Sequence, residues 1–166
     1  MANLANDNKE AQKQVLAAIK AGMEMLVGIG IVHDRDRQAK TLEEYKTKIL
    51  KYFDTVRNKT VMRGAFISFQ GPAPTDSGTV NRTPPEISYK ILIVWQFEDT
   101  DSYNSTSDFN DMMMDFYDYF EQNHSLGYSG LNIYTPELIS KAQVVPFDNF
   151  YCHMVEFELT CTLYGT

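Results

Sequence analysis

Apolar positions recur along this chain with two periods, and the switches between them predict its elements. Val15, Ile19, Met23 and Leu26 repeat at helical spacing within a run of strong helix formers, which predicts a first helix over about 8–26. The run Val27, Gly28, Ile29, Gly30, Ile31, Val32 is short and apolar and stops at the charged His33-Asp34-Arg35-Asp36-Arg37, the form of a buried strand ending at a charged corner. Thr41 followed three positions later by Glu44 is a capping-box signature, in which each side chain satisfies an orphan amide. Leu42, Tyr45, Ile49, Phe53 and Val56 then share one face, with Glu43, Lys46, Lys48 and Lys51 on the other, so a helix over 41–57 is expected. Residues 63–70 predict a second strand, closed by Gly71-Pro72.

Residues 70–86 hold four prolines, two glycines and several Ser, Thr and Asn, a composition that excludes a helix or a central strand and predicts a long loop or extended arm. In 87–97, Ile87, Tyr89, Ile91, Ile93, Trp95 and Phe97 alternate onto one face, the clearest strand pattern in the chain. A third helix is expected over about 107–123, with Ser105 and Ser107 as N-cap candidates. Its apolar side is Phe109, Met112, Met113, Phe116, Tyr119 and Phe120, and Asp108, Asp111, Asp115, Asp118 and Glu121 recur on another face. After a turn-rich connection over 126–136, Pro136 opens a short helical turn over 136–140, and strands over 141–147 and 151–163 flank a turn at Asp148-Asn149. The order predicts an α+β fold: one domain over 1–166, with a mixed, largely antiparallel sheet of about five strands and three main helices.

Composition narrows the classes of function. The aromatic content of 13% is far from that of a disordered chain, so a packed core is expected. The formal charge of -7 argues against a protein that wraps nucleic acid or coats an anionic membrane. Its distribution says more: residues 34–63 hold nine Lys and Arg against five acids, whereas residues 64–166 hold three against fourteen. Such a split allows copies to associate head to tail, or is simply two solvated faces. Cys152 and Cys161 stand at odd spacing in one predicted strand, which disfavours a disulfide between them and predicts buried free thiols. The polar start, Met1 to Glu10, has no apolar core of a signal peptide, and no apolar run reaches the length of a membrane span. Without a secretory route, the glycosylation triplets at Asn58, Asn81, Asn104 and Asn123 carry no meaning.

No catalytic, cofactor or metal constellation emerges from the residues, and a non-enzyme without cofactors is expected. Gly28-Ile29-Gly30 lacks the third glycine of a dinucleotide loop, since position 33 is histidine. Cys152 and His153 are adjacent in a strand and face opposite sides, so they do not form a nucleophile and base pair. Carboxylates at helical spacing alone do not build a cation cage. A small ligand-binding or enzymatic α+β domain, with a pocket beneath Trp95, is the rival reading.

The run Gly30-Ile31-Val32-His33-Asp34 with Arg37, a helix and Gly64-Ala65-Phe66-Ile67-Ser68 resembles the opening of small bacteriophage neck proteins of the tail-terminator type. The ending, Phe150-Tyr151-Cys152-His153-Met154-Val155-Glu156-Phe157-Glu158-Leu159, is similar to the closing strand of that group. The resemblance implies a structural virion protein, assembled in the host cytoplasm, that forms a hexameric ring. The ring would cap the tail tube and join it to the head connector or stopper protein, with DNA passing through the lumen without specific binding and no membrane involved. A head-completion or connector protein of the same neck is the near alternative. In this reading Lys46, Lys48 and Lys51 meet Asp111, Asp115 and Asp118 across subunits, and the arm, through Pro72, Pro74, Asp76, Asn81 and Arg82, contacts tube or connector.

Overall fold

The two stretches with strict period-two alternation form the centre of the molecule. The structure, a computed structural model, describes residues 1–5, 8–72, 86–147 and 150–164, without the side chains of Asn8, Leu42 and Pro72. In chain order the elements are β1 (Ala2–Asn3), α1 (Asn8–Glu24), β2 (Ile31–His33), α2 (Leu42–Glu44, continued by a π turn at Tyr45–Ile49) and β3 (Lys51–Asp54). There follow β4 (Lys59–Pro72), β5 (Glu86–Gln96), β6 (Asp99–Thr100), β7 (Tyr103–Asn104) and α3 (Ser105–Gln122). The last are β8 (Tyr128–Ser129), β9 (Leu131–Ile133), β10 (Glu137–Phe147) and β11 (Phe150–Leu163). The main sheet runs β10-β11-β5-β4-β2, with β3 added to β4 and β9 to β11. Only β2 lies parallel to its neighbour within it, so the fold is α+β with a mixed, largely antiparallel sheet.

Alternation sends the odd-numbered residues of the central strands to one face and the even-numbered to the other. On the first face Ala65, Ile67, Tyr89, Ile91, Ile93, Trp95, Val155, Phe157 and Leu159 pack under α1 and α3. The helices contribute Val15, Ile19 and Met23 from α1 and Phe109, Met112, Phe116 and Phe120 from α3, the stripes their spacing predicts. On the second face Phe66, Val94 and Cys152 meet Ile49 and Leu50 from the end of the π turn. Cys152 and Cys161 therefore sit on opposite faces, both buried and free.

Several predicted boundaries move. The helix expected over 41–57 ends after two turns, and its second half is a hairpin in which Tyr52 pairs with Val61 and Asp54 with Lys59. Thr41 caps as expected, accepting the Glu44 N–H at 3.2 Å, but the Glu44 carboxylate reaches back to the Lys40 N–H at 3.0 Å. The hairpin wins because Tyr52 and Phe53 favour extended backbone and Asn58 supplies a positive φ of 51° for the turn. Phe53 and Val56 thus leave the expected core face and lie exposed. The strand predicted over 27–32 shortens to Ile31–His33, because Gly28 and Gly30 adopt φ of 84° and 88° on the way out of α1.

β4 runs further than expected. β4 continues through a bulge at Gly71, φ 118°, and Pro72 still pairs with Ile87 of β5. Residues 73–85 and the predicted turn at Asp148-Asn149 lie outside the described residues. Residues 137–140, expected as a helical turn, are the start of β10, paired Glu137 to Glu158 and Leu138 to Phe157. Pro136 precedes the strand and leaves its ladder donors intact.

Candidate functional site

Where β3 turns back into β4, the charges of residues distant in sequence converge on one carboxylate. Asp54 Oδ1 accepts the Val56 and Arg57 backbone N–H groups at 3.0 and 3.2 Å, closing the turn. Asp54 Oδ2 accepts Arg57 Nε at 2.8 Å and lies 3.2 Å from Arg63 Nη2. Arg57 Nη1 also donates to Glu98 Oε2 at 2.5 Å, which Lys59 Nζ reaches at 2.6 Å. Register explains the gathering: β3 and β4 are joined tip to tip, and Arg63 stands opposite Trp95 at the end of β5, three residues before Glu98.

Aromatic rings complete the cluster. Arg63 lies 4.0 Å over the Trp95 ring and Arg57 3.9 Å over Tyr103, whose hydroxyl accepts from Arg63 Nη2 at 3.2 Å. Burial pushes the Asp54 carboxyl up, but the hydrogen bonds from Arg57 and the nearby Arg63 charge outweigh it and hold the group below its ordinary value. Burial likewise raises the Tyr103 hydroxyl, so it stays a neutral hydrogen-bonding group. Each ion of the cluster faces a counter-ion within it, so the arrangement braces the hairpin and presents no activated base or nucleophile.

A second polar contact crosses the core. Ser105 exchanges backbone and side-chain hydrogen bonds with Glu98, and its Oγ lies 2.9 Å from His153 Nε2. The His153 ring stacks on Phe109 at 4.8 Å, and burial lowers its pKa, which favours the neutral ring. Cys152 points to the other face of the sheet, and burial pushes its thiol and that of Cys161 up to about 12. Neither thiol is a nucleophile at neutral pH. Ser105, expected as an N-cap, is spent on this contact; Asn104 caps α3 instead, accepting the Thr106 N–H at 2.9 Å.

The residues predicted to meet across subunits are not one helix pair. Lys46 lies 4.0 Å over the Phe150 ring, Lys48 is 3.6 Å from Glu44, and Lys51 is exposed on β3. Asp111, Asp115 and Asp118 are exposed on α3, which covers the first face of the sheet, whereas the turn bearing Lys46 and Lys48 covers the second. Within one chain the two sets are therefore kept apart by the sheet. Of the predicted arm contacts, Pro72 is paired at the end of β4, with its side chain outside the described set, and Pro74, Asp76, Asn81 and Arg82 lie outside the described residues.

Besides a concavity of about 660 Å³ between α1 and the end of α3, two more border α3. One, about 290 Å³, is the space beside Trp95, lined by Arg57, Arg63, Asp108, Asp111 and Asp115. On its buried side Trp95 meets Phe109 edge-on at 5.5 Å, and the indole N–H has no hydrogen-bond partner among the described residues. The other, about 330 Å³, is an apolar groove between α3 and β10, lined by Met113, Met114, Tyr117, Pro136, Leu138 and Phe157. Among the described residues no three His, Cys, Asp or Glu side chains gather as around a metal ion, and no helix is long and apolar enough to cross a membrane.

Sequence reasoning missed the Asp54 cluster because its partners sit up to 41 residues apart and their meeting depends on strand register. The available signal was local: an Asp three residues before an Arg and four before an Asn reads as a side-chain-capped turn as well as a helix face. A scan against protein-family models finds no matching family, and a search of curated proteins finds no match.

Proposed function

We propose that this chain is a structural virion protein of the tail-terminator type, which forms a ring that caps a phage tail tube and joins it to the head connector. The observation that carries the reading is the separation of charge by the sheet. Lys46 and Lys48 stand over one face, and Asp111, Asp115 and Asp118 stand on the helix over the other. These two sets do not meet within a chain. They suit a second copy placed head to tail, the heterologous contact that closes rings. The hexameric size and the neck location come from the sequence resemblance. The mechanism is steric: a closed ring covers the growing end of the tube.

The test is native mass at low and moderate salt, with negative-stain images of the same samples, followed by addition to polymerising tail tubes. A ring that shortens the tubes supports the reading. A chain that stays monomeric at low salt and leaves tube length unchanged overturns it. A ring that binds heads but not tubes moves the assignment to a connector of the same neck.

A further inference from the structure

We infer that His153 and Ser105 form a proton-operated latch, and that protonation of the His153 ring releases the β6–β7 hairpin and its Tyr103 from the Arg57–Arg63 cluster. The inference is independent of the ring reading above and rests on where the protons of one buried contact must sit.

Ser105 Oγ accepts the Glu98 N–H at 2.8 Å, so its own hydroxyl proton is directed to His153 Nε2 at 2.9 Å. That donation needs a bare Nε2, which puts the ring proton on Nδ1. A proton taken up from solvent makes Nε2 a donor as well, and two donors then face each other across the contact. To accept Nε2–H, Ser105 must turn its hydroxyl proton away, at a place where Ser105 is 1% and His153 3% exposed. A buried donor without an acceptor, or a buried charge without a partner, is costly.

Among the described residues no counter-ion offsets the charge. Phe97 and Phe109 flank the ring at 5.0 and 4.8 Å, with Val144 opposite on β10 and Trp95 opposite on β5. The carboxylates of the packed elements are engaged elsewhere, Glu98 on Arg57 and Lys59, and Asp108 on the Tyr103 hydroxyl. The cations of the neighbouring cluster, Arg57 and Arg63, lie over Tyr103 and Trp95. Burial accordingly lowers the pKa of the ring.

Which side yields is set by how firmly each is held. His153 stands in β11, paired with β5 without a break from Cys152 to Thr162. Ser105 instead begins α3 and closes 99–104, whose ladder is two residue pairs and whose residues other than Tyr103 are exposed. The base of this hairpin is tied by the Ser105 N–H to the Glu98 carbonyl at 2.9 Å and by the bond to Ser105 Oγ. An exposed segment with few contacts opens before the sheet does. Its opening carries Tyr103 off the Arg57 guanidinium and breaks the 3.2 Å bond from Arg63. Proton uptake in the core thereby uncovers guanidinium groups that Tyr103 covers at neutral pH.

The experiment is amide hydrogen exchange of the full chain at pH 7.5 and pH 5, corrected for the intrinsic rate, on the wild type and His153→Gln. The wild type is expected to exchange about tenfold faster over 99–106 at pH 5, with the β5 and β11 amides changed less than about twofold. In His153→Gln, whose side chain does not titrate, 99–106 is expected to exchange equally at both pH values. Because position 153 is buried, the wild type also carries a reading of its own: the His153 and Tyr103 ring signals, followed by NMR, are expected to titrate with one midpoint. Equal wild-type protection of 99–106 at both pH values overturns the latch, as does acceleration spread evenly over β5 and β11. Acceleration that survives His153→Gln, or ring midpoints more than about one pH unit apart, assigns the opening to another group and overturns it too.

Discussion

Asp54 closes a turn with one oxygen and neutralises two guanidinium groups with the other, so its replacement acts on several elements at once. Arg63 is 6% exposed, and without the carboxylate it keeps its charge in a poorly solvated place. Asp54→Ala is therefore expected to lower stability by about 3–5 kcal/mol, read as a fall in the urea midpoint with an unchanged slope. An effect below about 1 kcal/mol would mean that the cluster relaxes into solvent. His153 gives a pH signature of its own. Its pKa is depressed in the fold, so below the ordinary value of 6.5 the unfolded chain binds more protons than the native one. Stability is complete above that pH and falls as the pH drops toward the native pKa, with a slope of at most about 1.4 kcal/mol per unit. His153→Gln should flatten the slope between pH 7 and 5; an unaltered slope assigns it to another group.

The glycines that lead into β2 act at the scale of the element. Gly30 passes so close to β4 that a Cβ built there falls 2.3 Å from the Arg63 carbonyl oxygen, at a φ of 88°. Gly30→Ala should cost at least about 1–3 kcal/mol in backbone strain and speed hydrogen exchange across the Ile31–His33 pairing. Protection equal to the wild type would show that β2 tolerates the displacement. This pair of glycines, which lacks the third of a dinucleotide loop, allows a parallel strand to lie against Gly64. Elements with two chemically different faces were readable from the sequence: β5, β11, α1 and α3 follow their periodicity almost to the residue. The hairpin at 51–62 was not, because Tyr45, Ile49, Phe53 and Val56 satisfy a helical spacing that the turn at Asp54 overrides. β10 escaped in part for a different reason: it is an edge strand exposed along most of its length, so burial imposes no alternation on it. The residues proposed for assembly were readable as charges, but their places on opposite faces follow from a topology that periodicity does not encode.

At the scale of the whole molecule, Lys46 and Lys48 lie over one face of the sheet and Asp111, Asp115 and Asp118 over the other, and the proposed pairing of these sets between copies predicts a dependence on salt. Lys46→Glu with Lys48→Glu should weaken self-association most at low ionic strength, with the difference from wild type shrinking as salt rises toward about 1 M, where screening acts within about 3 Å. Sedimentation across a salt series reads this directly, and a loss independent of salt would point to a packing defect instead. Added Asp111→Lys and Asp115→Lys on the opposite face should restore association. The same topology governs when the protein becomes competent. β11 lies between β10 and β5 and also carries β9, and it follows each of these strands in the chain. During synthesis the facing edges of β5 and β10 have no partner until β11 emerges, so the sheet closes only once residues 150–163 are available. The order of synthesis thus sets the order in which the sheet closes, leaving two unpaired strand edges in need of protection until β11 arrives.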